Sequence, residues 1–177
     1  STAEFTQLNK GRGFQVGSVS INTMILVDDI ANVASSPDDV IMSHSKMVDF
    51  SRLKRLPISG KKCFVLPVNI KNNLMIPTLK NSNEKMDIAQ TITYLGRVFN
   101  RKGNNKDNIK HRIAKSRSCM IEVFSMCNDV TLGAFTIQAL MLAYSSIFIP
   151  TLMYGAQTWT KMSKDDERSL NSIQLQF

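Results

Sequence analysis

Val19-Ser20-Ile21-Asn22-Thr23-Met24-Ile25-Leu26-Val27-Asp28-Asp29-Ile30-Ala31-Asn32-Val33-Ala34 is the stretch that decides the fold class. Its first nine residues alternate. Val19, Ile21, Thr23, Ile25 and Val27 share one face, and Ser20, Asn22, Met24 and Leu26 share the other. A period of two is the mark of a strand. Asp28-Asp29 interrupts the run, and residues 30–34 resume it, which predicts a hairpin with two carboxylates at its tip. A polar hairpin turn accounts for such a pair in the simplest way. Adjacent carboxylates also repel each other unless a cation is present, and hard oxygen ligands of this kind hold Mg²⁺.

Upstream, residues 14–16 read as a short strand broken from the next by Gly17-Ser18, and the first dozen residues read as a loop. Downstream, Ser36-Pro37-Asp38-Asp39 starts a helix, with Ser as cap, Pro at the first helical position and acids in the first turn. That helix is expected to run to about Leu53, with Val40, Ser43, Met47 and Phe50 inward, and to end before Pro57. Residues 62–68 read as a strand that Pro67 confines to an edge or an end. Residues 69–87 suggest a loose hairpin and 91–99 one more strand. The remainder reads as helical. Ile109, Ile113, Ser116, Met120, Val123 and Cys127 form a stripe at helical spacing. A second helix is expected over 135–148, stopping before Pro150. A third begins at Ser163, with Asp165 and Asp166 in its first turn and Leu170, Ile173 and Phe177 as its stripe. That stripe is open at the last residue, so the chain is expected to be part of something longer. The fold class is α+β.

Hydrophobic residues make up 43% of the 177, which excludes a disordered polymer. Lys and Arg outnumber Asp and Glu by 22 to 14, a formal charge of +8 that favours a polyanionic partner, nucleic acid or an acidic membrane surface. Cys63, Cys119 and Cys127 form no CxxC pair, and His44 and His111 lie far apart, so neither a zinc site nor a disulfide framework is expected. The N-terminus is polar, without a signal-type apolar core. Residues 130–160 carry no charge, but Thr131, Gly133, Thr136, Gln138, Ser145, Ser146 and Pro150 dilute them, which favours a buried helix over a membrane span.

Of the three Asp-Asp pairs, Asp38-Asp39 and Asp165-Asp166 stand where helix-start acids belong, which singles out Asp28-Asp29. From that pair onward the chain resembles the reverse transcriptases of non-LTR (LINE-type) retrotransposons. The family's [FY]-A-D-D tip corresponds to Leu26-Val27-Asp28-Asp29, followed by the apolar Ile30-Ala31. Its I-N-x-x-K-[CST] turn corresponds to Ile58-Ser59-Gly60-Lys61-Lys62-Cys63. Its Y-L-G is present as Tyr94-Leu95-Gly96, followed by a charged loop ending in Gly103. Its basic helix I-x-x-R-I-x-x-[AS] is matched by Ile109-Lys110-His111-Arg112-Ile113-Ala114-Lys115-Ser116. Its P-x-L-x-Y-G-x-x-x-W segment is matched from Pro150 through Tyr154-Gly155 to Trp159. The five run in the family's order over residues 19–177. Leu26 departs from the family's Phe or Tyr, Val27 from its Ala, and Ser59 from its Asn.

The resemblance implies the second half of a polymerase palm over residues 1–99 and a truncated helical thumb over 100–177. It implies RNA-directed DNA synthesis in the parent protein with two Mg²⁺ ions, a pair that activates the primer hydroxyl and stabilises the leaving pyrophosphate. Asp28 and Asp29 would be metal ligands, and Lys62 would face the nucleotide phosphates. Tyr94, Leu95 and Gly96 would grip the primer. Arg97, Arg101, Lys102, Lys110, Arg112, Lys115 and Arg117 would meet the phosphate backbone; with Lys106, residues 97–117 hold eight cations opposed only by Asp107. Partners would be an RNA template with its DNA primer and the rest of the parent polymerase, with no membrane, inside the cell and in the nucleus. The family's other metal-binding Asp and its Gly- and Pro-containing segment lie upstream of these motifs, and nothing in residues 1–27 resembles them. The chain alone is therefore expected to be catalytically inactive, a nucleic-acid-binding remnant being the alternative. Trp159 is expected as a core anchor beside Tyr154.

Overall fold

The computed structural model describes residues 13–70, 80–81, 84–127, 137–160 and 162–176. It has a mixed α+β fold, with separate two-stranded sheet segments followed by helices. The chain divides into two compact units, Ser1–Leu95 and Gly96–Phe177.

In the first unit, β1 (Phe14–Val16) pairs antiparallel with β2 (Val19–Ile21) across Gly17-Ser18. The expected strand over 19–27 is interrupted at Asn22, which is buried and whose carbonyl accepts the Val33 N–H at 2.8 Å. A second hairpin follows, β3 (Thr23–Leu26) antiparallel to β4 (Asp29–Asn32), in the register Leu26↔Asp29. α1 (Pro37–Lys54) begins as its residues dictate: the Ser36 hydroxyl accepts the Asp39 N–H at 3.2 Å, and Pro37 is the first helical residue. Arg55, at φ 55°, ends it, and Leu56 N–H closes back on the Ser51 carbonyl at 3.0 Å. Ser43 and His44 are its buried residues, with Val40, Met47 and Phe50 half-buried beside them.

The strand expected over 62–68 is shorter. Gly60–Lys62 is a 3₁₀ turn, and β5 is only Phe64–Val65, because Pro67 has no N–H to continue a ladder. β6 (Lys80–Asn81) and β7 (Glu84–Lys85) form a small antiparallel hairpin, and β8 (Asp87–Ile88) runs parallel to β5. The expected strand over 91–99 is instead two strands, β9 (Thr91–Tyr94) and β10 (Arg97–Asn100). Leu95 and Gly96 between them have φ of 48° and 74°, the left-handed pair that a two-residue turn requires.

In the second unit, β10 leads into α2 (Lys106–Cys127). The Asn105 carbonyl accepts the Ile109 N–H at 2.9 Å, starting the helix. Ile109, Ser116 and Val123 are buried on one face, with Ile113 and Met120 half-buried beside them. The Cys127 side chain lies outside what is described. The next helix does not stop before Pro150. α3 (Ile137–Ala143) passes into a π-helical turn at Tyr144–Phe148 and continues as α4 (Ile149–Leu152). Proline inside a helix removes one N–H and crowds the carbonyl four residues back. The wider turn, in which Ile149 N–H reaches the Tyr144 carbonyl, accommodates that crowding. α5 (Lys164–Gln174) opens on a capping box between Ser163 and Asp166. Phe177 lies outside the described residues, as do residues 1–12.

Ile109, Phe148, Leu152, Leu170 and Ile173 close the core of this unit, with Tyr144, Ile149 and Trp159 packed against it. The stretch Ile137–Thr158 is helical and long and apolar enough to cross a membrane by length and composition. Phe148 and Leu152, both 0% exposed, commit one of its faces to the core, while Ile137, Met141 and Leu142 are exposed on others.

Candidate metal pair and nucleic-acid surface

The β3–β4 hairpin presents its carboxylates outward. Val27 and Asp28 are the central turn residues, and Asp29 opens β4 opposite Leu26; all four are exposed. Val27 has φ 56° and is 88% exposed. A turn with positive φ only at its first central residue favours glycine there. A β-branched residue in that conformation is strained by on the order of 1–3 kcal/mol. The tip is thus a tight bend carrying side chains that no core demands.

The three Asp-Asp pairs differ in what holds them. The Asp39 carboxylate accepts the Ser36 hydroxyl at 2.7 Å. The Asp166 carboxylate accepts the Ser163 hydroxyl at 2.8 Å, and Asp165 pairs with Arg168 at 3.3 Å. Among the described residues, Asp28 and Asp29 are held by no such partner. No third His, Cys, Asp or Glu among the described residues joins them in a cluster able to hold a metal ion. The two carboxylates suit Mg²⁺, which keeps several waters and takes few protein oxygens.

Lys62 closes the 3₁₀ turn and is exposed, with no ion pair to either aspartate. Tyr94 is brought to the hairpin: its hydroxyl donates to the Met24 carbonyl of β3 at 3.4 Å. Leu95 and Gly96 form the turn between β9 and β10. Cys63 and Cys119 are half-buried free thiols. Burial raises both thiols above their usual range, and Glu122 adds to the effect at Cys119, so neither is poised as a nucleophile.

The cations of 97–117 separate into two classes. Arg112 is buried; its guanidinium donates to the Gly96 carbonyl and lies 4.6 Å over the Tyr154 ring. Arg97 is half-buried, donating to Asn105 Oδ1 at 3.2 Å and to the Thr158 carbonyl at 3.3 Å, with its guanidinium 4.9 Å over Phe99. Burial lowers its pKa without threatening its charge at neutral pH. Arg97 and Arg112, expected on the phosphate surface, therefore act first as internal clasps. Lys102, Lys106, Lys110, Lys115 and Arg117 are exposed and Arg101 is half-exposed. Asp107, the one acid among them, accepts from the Asn100 amide at 2.7 Å.

Two features of this region were not expected from the sequence. One is an asparagine network: Asn100 donates to Asn104 Oδ1 at 2.8 Å, Asn105 to the Thr160 carbonyl at 2.5 Å, and Asn108 Oδ1 accepts the Val98 N–H at 3.1 Å. Four asparagines within nine residues of a helix start were its visible signal. The other is the depth of Arg112. It stands four residues from both Asn108 and Ser116, so it lies along the buried edge of the stripe.

No family model matches the chain, and no curated protein and no solved structure matches it.

Proposed function

We propose that this chain is the later palm and the thumb of a reverse transcriptase of the non-LTR retrotransposon kind, an RNA-directed DNA polymerase in its parent form. The observation that carries the reading is the Asp28-Asp29 pair, exposed at the tip of a strained two-residue hairpin and free of the capping duties of the other two pairs. Asp28 would hold Mg²⁺ with Asp29 beside it. When bound, the ions supply activation of the primer hydroxyl and charge neutralisation at the pyrophosphate. Lys62, exposed on its turn, would serve the nucleotide phosphates as a point charge. Tyr94, Leu95 and Gly96 would hold the primer strand. The exposed cations Arg101, Lys102, Lys110, Lys115 and Arg117 would bind the RNA–DNA duplex through its phosphates, and Arg97 and Arg112 would hold the frame that presents them.

A narrower form of this reading is that the chain as it stands grips duplex without performing chemistry. The test has two readouts. Purified chain should bind a labelled RNA–DNA hybrid with affinity that falls steeply with salt, and should not extend a primer in Mg²⁺. Changing Lys110 and Arg117 together to Gln should flatten the log–log salt slope by roughly 1.4–1.8. Extension that Asp28→Asn abolishes would replace the narrower form with an active polymerase. A salt slope unchanged in the double variant would reduce the basic helix to a solvated face.

A further inference from the structure

We propose that the groove between α2 and α5 is a binding site for the sugar–phosphate backbone of one strand of a nucleic-acid duplex. Lys110, Arg117 and Arg168 line it, with Ser169, Ser172, Ile113 and Ile173, and it encloses roughly 360 Å³. The proposal rests on the nucleic-acid reading above and extends it to α5, which nothing in the sequence marked as a binding element.

The groove's chemistry is one-signed. Lys110 and Arg117 are seven residues apart on α2, two turns, so they stand on one flank about 10.5 Å apart along the axis. That is about three nucleotide rises of a single strand. Lys115, five residues from Lys110, is turned about 140° away on the opposite flank. Arg168 faces Lys110 and Arg117 from α5. Among the described residues, the acid that holds a groove cation is Asp165, at 3.3 Å from Arg168, and the two side chains are 89% and 79% exposed. An exposed pair of that kind is weak, and a phosphate can replace Asp165 with little loss. Ser172 adds a donor. Half-buried Ile113, backed by the core residue Ile173, provides an apolar patch against which the sugar face of a strand can lie. Two cations about three nucleotide rises apart, with Ile113 between them, fit a backbone better than an acidic peptide, whose carboxylates have no fixed spacing.

The test is binding of a fluorescein-labelled RNA–DNA hybrid to the full chain over a salt series. Arg168→Gln should weaken binding roughly tenfold at about 50 mM salt and flatten the slope by about 0.7–0.9, and Arg168→Lys should restore most of it. Asp165→Asn should tighten binding more than Asp38→Asn, a variant of equal charge change on α1. Thermal melts of each variant establish that it is folded. If Lys110→Gln and Arg117→Gln flatten the slope while Arg168→Gln and Asp165→Asn behave as Asp38→Asn does, the groove is overturned and the basic-helix reading stands. If none of these variants moves the slope, both fall. Displacement of the hybrid by poly-glutamate at equal charge concentration would reassign the groove to acidic peptides and overturn the proposal.

Discussion

Residues 13–95 and 96–176 build their interiors differently. In the second unit, five apolar side chains from three helical segments close on one another, and Phe148, Leu152, Ile109 and Ile173 are all but inaccessible. In the first, the buried described residues are mostly polar or isolated: Asn22, Ser43, His44, Pro67 and Met86. Phe14, Val16, Val19, Leu26, Leu53 and Phe64 are exposed there. The helical unit satisfies its own apolar stripes. The strand unit has apolar strands in short two-stranded pieces, an arrangement that is marginal alone and gains stability when further strands or a helix cover it. Stability should therefore reside in the second unit and the candidate chemistry in the first.

Phe148→Ala should separate the two units most sharply. Emptying a fully buried ring site lowers stability by about 3–5 kcal/mol, whereas Val19→Ala or Leu26→Ala should change it by no more than about 0.5 kcal/mol. Urea titrations followed by the single Trp159, which packs on the core of the second unit, read this directly. Comparable losses from the two classes would mean that the strand unit holds a core of its own.

Arg112→Gln should come next, at about 2 kcal/mol, since it gives up a charged hydrogen bond to Gly96 and the stacking on Tyr154. Lys115→Gln, three residues on and exposed, should leave the melt unchanged. If both are silent, Arg112 belongs with the binding cations after all. In the first unit, Val27→Gly should slow amide exchange across β3–β4, because it relieves a left-handed β-branched residue by about 1 kcal/mol. Faster exchange would show that the Val27 side chain supports the turn.

Much of the helical half was legible because helix signals are local. Ser36 and Ser163 cap where their acids three residues on predicted, and the stripe from Ile109 to Val123 is the buried face of α2. Strand limits were less legible because pairing partners set them. Gly96 is a local turn signal within residues 91–99, but it does not show that a second strand, β10, resumes beyond it and pairs back on β9. Pro150 misled because the π turn just before it lets the helix continue through the proline. At the candidate site, the hairpin and its carboxylates were readable from alternation, but the division of the cations into clasps and exposed groups was not. A count of charges carries no depth, and Arg97 and Arg112 were distinguishable only by what they touch.

A slighter change is expected at His111. Desolvation, then Arg112 and Lys115, hold its imidazole below the ordinary value of about 6.5. Between that lowered value and 6.5 the unfolded chain binds more protons. Stability should therefore rise with pH through the window and decline slightly as pH falls through it. Titration of the ring by NMR at or above 6.5 would contradict the placement of His111 beside those cations.

On the proposed reading Asp28-Asp29, alone of the three Asp-Asp pairs, binds a divalent cation. Titrating Mn²⁺ into isotopically labelled chain and following amide broadening compares all three pairs at once. Broadening should centre on Val27, Asp28, Asp29 and Ile30, be reversed by excess Mg²⁺, and disappear in Asp28→Asn, while residues around Asp38-Asp39 and Asp165-Asp166 stay sharp. Equal broadening at all three pairs, or strongest broadening at either helix start, would contradict it.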